Sequence, residues 1–117
     1  MLFLLLFHIF IVNGQIINIP DANFKAKLLA ANSTTNFFAG GYGSNGYYPW
    51  IKIDTNNDGE IEVSEAQSVY SLHINPSLSS NLDILSNLTG IEYFTNLEAL
   101  NFANNNLTTL TNLKYIS

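Results

Sequence analysis

Residues 85–116 read LSNLTGIEYFTNLEALNFANNNLTTLTNLKYI. Apolar side chains recur at every third position: Leu85, Leu88, Ile91, Phe94, Leu97 and Leu100. An amphipathic helix repeats every 3.6 residues, so a sustained period of three argues against one. Within the run, Leu97, Leu100, Phe102, Asn105 and Leu107 stand at the spacing L-x-x-L-x-F-x-x-N-x-L. Leu100 and Phe102 alternate along a short strand, and both face inward. Asn105 turns inward as well, where its amide can satisfy backbone groups at the bend after the strand. Leu107, Leu110, Leu113 and Ile116 continue the buried ladder on the return segment.

Working back from there, Ser68–Asn75 (SVYSLHIN) reads as an earlier strand with Leu72 and Ile74 inward. These align with Leu100 and Phe102 at an offset of 28 residues, with 76–84 as an insertion. The pattern is that of a leucine-rich repeat. Repeats bury their faces on one another, so about three are usually needed, and only one is complete here. The segment is therefore expected to be the start of a longer solenoid, or a truncated reading frame. His73 points outward from the strand and reads as a surface residue rather than a ligand.

Between the strand and the N-terminal third lies DTNNDGEIEVSE, residues 54–65. It satisfies D-x-[DN]-x-[DN]-G-x5-E at every specified position, the pattern of a calcium loop. Calcium takes several hard oxygens at about 2.3–2.6 Å in a flexible shell. Asp54, Asn56 and Asp58 supply positions 1, 3 and 5, and Glu65 closes the shell from position 12 with both oxygens. Glu60, at position 7, contributes its backbone carbonyl. Glu62 holds position 9, and Ile61 turns inward as an anchor. Gly59 permits a sharp turn that a side chain would obstruct. Five of the nine acidic residues (Asp54, Asp58, Glu60, Glu62, Glu65) crowd these positions without a Lys or Arg among them. Such a cluster repels itself unless a cation joins it. The run-in YYPWIKI (47–53) reads as extended rather than helical, because of Pro49 and the Ile51/Ile53 alternation. A short helix can leave from Ser64. With half the usual frame, the affinity expected is in the weak extracellular range, about 10⁻⁴–10⁻³ M.

The first 14 residues, MLFLLLFHIFIVNG, read as a secretory signal segment with a cleavage point at Gln15. QIINIP (15–20) is an extended lead. DANFKAKLLAA (21–31) is a helix capped by Asp21, with Phe24, Leu28 and Leu29 as its apolar stripe and Lys25 and Lys27 facing water. Residues 32–49 form a Gly-rich loop, read as flexible. Phe37, Phe38, Tyr42, Tyr47, Tyr48 and Trp50 crowd the short span 37–50. They pack partly on the core or are presented for stacking; exposed rings would support a binding role, and rings packed on helix 21–31 would remove it. The loop lacks the Lys and following helix of a phosphate cradle.

The fold expected is thus α+β: an N-terminal helical cap (15–53), a calcium loop (54–65), and a short leucine-rich repeat solenoid (66–117) incomplete at its C-terminal end. The chain has 117 residues, a net charge of −5 and only four basic residues. That balance disfavours nucleic acid and anionic membrane as partners. With no cysteine, neither a disulfide framework nor thiol chemistry is available. No nucleophile-elbow context is present, so no enzymatic activity is expected.

Three blocks, QIINIPDANFKAKLL, IDTNNDGEIEVSEA and LTGIEYFTNLEALNFANNNLTTL, resemble the N-terminal region of secreted, internalin-like leucine-rich repeat proteins of Bacteroidetes, flavobacteria especially. The resemblance spans most of residues 15–117. It implies a secreted or cell-surface protein with a cap, an EF-hand-like or dockerin-like loop and a run of repeats. The function expected is that of a calcium-binding, non-enzymatic interaction or adhesion module with a protein or surface-glycan partner. It would meet membrane only through the signal segment before cleavage. The alternative is a carbohydrate-binding accessory module using the aromatic residues of 37–50.

Overall fold

The computed structural model describes residues 14–75, 84–102 and 105. Residues 1–13 of the expected signal segment, residues 76–83 of the expected insertion, and the ladder residues Leu107, Leu110, Leu113 and Ile116 lie outside the described residues.

The first helix, α1 (Ala22–Ala30), starts where Asp21 sits in extended geometry and its Oδ1 accepts from the Asn23 and Phe24 N–H groups, both at 3.0 Å. It ends at Ala31, whose backbone leaves the helical region. The Asn32 side chain then gathers the N–H groups of Thr34, Thr35 and Asn36 at 3.0, 2.8 and 3.0 Å, forming a compact polar turn. Phe24 and Leu28 are fully buried. The two lysines do more than face water. Lys25 pairs with Glu60 at 2.7 Å, and Lys27 sits over the Phe38 ring, 4.9 Å from its centroid.

Three short strands follow: β1 (Ala39–Gly40), β2 (Ser71–His73) and β3 (Ala99–Asn101), with helix α2 (Val63–Ala66) between the first two. The sheet order is β1-β2-β3; β1 runs antiparallel to β2, and β3 runs parallel to it. Leu72 pairs with Leu100, the alignment expected from the sequence offset. Period three is also the true burial period before β3. Leu85, Leu88, Ile91, Phe94 and Leu97 are all buried, across a 3-10 turn at Ile91–Tyr93. Asn105 acts as read: its Nδ2 donates to the carbonyls of Ile74 (2.8 Å) and Phe102 (3.1 Å), and its Oδ1 accepts from the Leu85 N–H at 2.8 Å.

The expected solenoid is nevertheless wrong for what is described. The described residues form a small α+β unit of two helices and a three-stranded mixed sheet, with no solenoid among them. The physical reason lies at the edge of β2. Gly40 lacks a Cβ, which would collide with Ser71 Oγ and Tyr48 Cβ. This close approach lets β1 add antiparallel to the edge away from β3, so the sheet is mixed rather than a stack of like strands. The core then closes from the other side, where Phe24 of α1 meets Phe102 edge-on at 6.1 Å. No helix among the described residues is long and apolar enough to cross a membrane.

Candidate functional site

Residues 54–65 are positioned at both ends. Ile53 and Ile61 are fully buried anchors. The lead segment pairs with the far side of the loop: the Ile17 N–H donates to the Ile61 carbonyl, and the Val63 N–H to the Gln15 carbonyl, each at 2.8 Å. Asp54 is buried at the entrance, and its carboxylate accepts from the N–H groups of Asp58 and Gly59, both at 3.2 Å. Winding this tightly requires two left-handed residues, Asn57 (φ 57°) and Gly59 (φ 78°). Gly59 is needed for that dihedral and not for room, since no atom lies within 4 Å of where its Cβ would be.

The acidic side chains meet around Glu62. Its carboxyl is buried, takes a 3.3 Å hydrogen bond from Asn56 Nδ2 on Oε1, and has no partner on Oε2. The neighbouring carboxyls of Glu65 and Asp58, together with burial, push its pKa up to about 7. Asp58 is held below the usual carboxylate range, chiefly by the neighbouring Glu62 carboxyl. Burial pushes Glu65 up, but bonds from Glu62 and Thr55 outweigh it and bring Glu65 below its ordinary value. Glu65 Oε1 accepts from the Thr55 N–H at 2.9 Å, and Oε2 from the Glu62 N–H at 3.1 Å, which also caps α2.

Of the five expected ligands, Asp54, Asn56, Asp58 and Glu65 therefore share one loop with Glu62. The Glu60 side chain leaves it for Lys25, so only its carbonyl could serve. Glu62, at position 9 of the pattern, is the member a ligand list drawn from the other positions omits. Among the described residues, no group of three or more His, Cys, Asp and Glu side chains is arranged to hold a metal ion. The hydrogen bonds explain this: backbone N–H groups engage Asp54 and Glu65, and the Asn56 amide lies between Asp58 (3.3 Å) and Glu62. The donor chemistry still fits a hard cation. Every side chain offers oxygen, and one buried carboxyl oxygen lacks any partner.

The aromatic segment is not the flexible loop expected. The Gly41 N–H donates to the Pro49 carbonyl (2.8 Å) and the Ile51 N–H to the Ala39 carbonyl (2.9 Å). Between them, Asn45 (φ 57°) and Gly46 (φ 76°) make a turn closed by the Tyr47 N–H on the Ser44 carbonyl at 3.1 Å. Two successive positive dihedrals match a type I′ hairpin turn, for which Asn-Gly is the usual pair. Phe38 is half-buried, whereas Phe37, Tyr42, Tyr47 and Trp50 are exposed.

No protein-family model, curated protein or solved structure matches this chain.

Proposed function

We propose that residues 54–65 are a calcium loop that orders a non-enzymatic, secreted or cell-surface binding domain. The observation that carries this reading is the buried, unpartnered Glu62 Oε2 inside a loop matching the calcium pattern throughout. Asp54, Asn56, Asp58, Glu62 and Glu65 would hold the ion with side-chain oxygens, and Glu60 with its carbonyl. The ion would neutralise the acidic cluster and tie together the lead segment, the extended run-in and α2. Its role is structural: binding energy that depends on the folded loop stabilises the folded domain. The extracellular setting rests on the apolar N-terminal segment and on a site weak enough to need roughly millimolar calcium.

The test is terbium, a calcium mimic, titrated into the full chain with excitation of Trp50, the single tryptophan. Trp50 lies four residues before Asp54, within about 14 Å of it along the chain. The expected result is sensitised emission that calcium competes away and that Asp58→Ala and Glu62→Gln weaken about tenfold or more. A folded chain, shown so by circular dichroism, that gives no emission overturns the proposal.

A further inference from the structure

The hairpin at 39–51 and the sheet enclose a cleft of about 350 Å³ that is separate from the acidic loop. Tyr47, Tyr48 and Trp50 line it from the hairpin, and Ser71, His73 and Ala99 from β2 and β3. We propose that this cleft binds a neutral sugar unit of a glycan, stacked on the exposed aromatic rings.

Three observations carry the inference. The first is preorganisation. Trp50 is bracketed by Phe37 and His73, each with its ring centroid 5.5 Å away, and still keeps 39% of its surface exposed. Tyr47 is 69% exposed, on a turn fixed by Asn45 and Gly46. Gly43 holds that turn tight: a Cβ there would collide with the Tyr47 carbonyl. Large apolar rings held in water by a built hairpin are surface made for a partner, since a loop free to rearrange would bury them.

The second observation is the polar rim. The Tyr48 hydroxyl donates to Glu98 Oε2 at 2.9 Å, and that bond raises the Tyr48 pKa above its ordinary value. Glu98 retains acceptor capacity in its carboxylate. The Ser71 hydroxyl in the cleft wall is fully buried and has no hydrogen-bond partner. Aromatic faces beside hydroxyl, imidazole and carboxylate groups match a pyranose, which shows C–H groups on its faces and hydroxyls around its edge.

The third is size and charge. The volume lies at the lower end of small-ligand sites and suits a single ring. Among the described residues no Lys or Arg lines the cleft, and Glu98 accepts from Tyr48 of its lining, so an anionic sugar is disfavoured.

This inference does not depend on the calcium reading, and its test is separate. Trp50 fluorescence is recorded on the full chain against cello-, xylo-, manno- and chito-oligosaccharides, a proline-rich peptide, and choline as a cationic probe. One or more of the neutral oligosaccharides is expected to shift the emission saturably. Tyr47→Ala, which keeps the reporter, is expected to weaken that binding about tenfold through loss of a stacking face. Glu98→Gln is expected to weaken it too, with circular dichroism unchanged in both variants. A shift with the peptide or choline alone, or no shift with any probe, overturns the proposal. Unchanged sugar affinity in both variants also overturns it.

Discussion

Asp21 shows how much one carboxylate can organise. Oδ1 caps α1, while Oδ2 accepts from the N–H groups of Ser86 (2.8 Å) and Asn87 (2.9 Å), 65 and 66 residues away in the chain. Burial pushes its pKa up, but the N–H groups of Ser86, Phe24, Asn87 and Asn23 together outweigh that and leave it below 3.8. A folded-state pKa below the unfolded value means that the unfolded chain binds the proton more readily. The stabilisation is therefore present above about pH 4 and is lost as the pH falls below 3.8 toward the folded value. Asp21→Ala is expected to cost about 2 kcal/mol at pH 7, from a lost cap and two lost long-range hydrogen bonds. It should also flatten the acid limb of stability measured by urea unfolding between about pH 4 and pH 2. The glycines make a second residue-scale contrast. Gly59→Ala meets open space and bears only the left-handed dihedral, about 1–2 kcal/mol. Gly40→Ala drives a methyl into Ser71 and Tyr48 and should cost more, about 2–3 kcal/mol, in the same assay.

At the scale of elements, the junctions are held by side chains that cross between segments. Asn105 bonds the carbonyls of Ile74 and Phe102 and the N–H of Leu85, so one amide joins the ends of β2 and β3 to the 84–88 stretch. Asn105→Ala leaves these partly buried groups unsatisfied, at about 2–3 kcal/mol. Hydrogen exchange should locate the damage, with the Leu85 amide losing protection before the Phe24 amide in α1 does. The Lys25–Glu60 pair joins α1 to the acidic loop, but both side chains are about a third exposed. Lys25→Ala should therefore change stability by less than about 1 kcal/mol. The hairpin at 39–51 gives the opposite lesson: composition suggests mobility, yet Asn45-Gly46 between extended flanks is a specific turn signal. Glycine content alone predicts a loose loop; the Asn-Gly dipeptide is what specifies the hairpin.

At the scale of the molecule, a bound calcium ion would act on the whole fold, because the loop joins its N-terminal lead, its run-in and α2. At calcium one hundred times the dissociation constant, the gain is about 2.7 kcal/mol. Calorimetry with calcium and then excess chelator should show a fall in Tm of about 10 °C or more on chelation. An unchanged Tm would mean the acidic loop carries no stabilising ion.

Local chemistry was plain from the residues alone. A period of three buries Leu85 through Leu97 whatever the architecture, because burial follows which side chains share a face. The Asp-Asn-Asp-Gly spacing winds the acidic loop, because Asn57 and Gly59 tolerate left-handed geometry. Asp21 caps a helix because its side chain reaches its own next turn. Which distant segments meet was a different matter. The repeat pattern sets β3 beside β2 at Leu72 and Leu100, but the opposite edge of β2 goes to β1, through a close approach at Gly40 that no periodicity announces. The burial of Glu62 without a partner for Oε2, the second pair of donors on Asp21, and the cleft between hairpin and sheet arise the same way. Each joins groups far apart in sequence, and their meeting is settled by competition among whole segments for one core and one sheet edge, which no short stretch encodes.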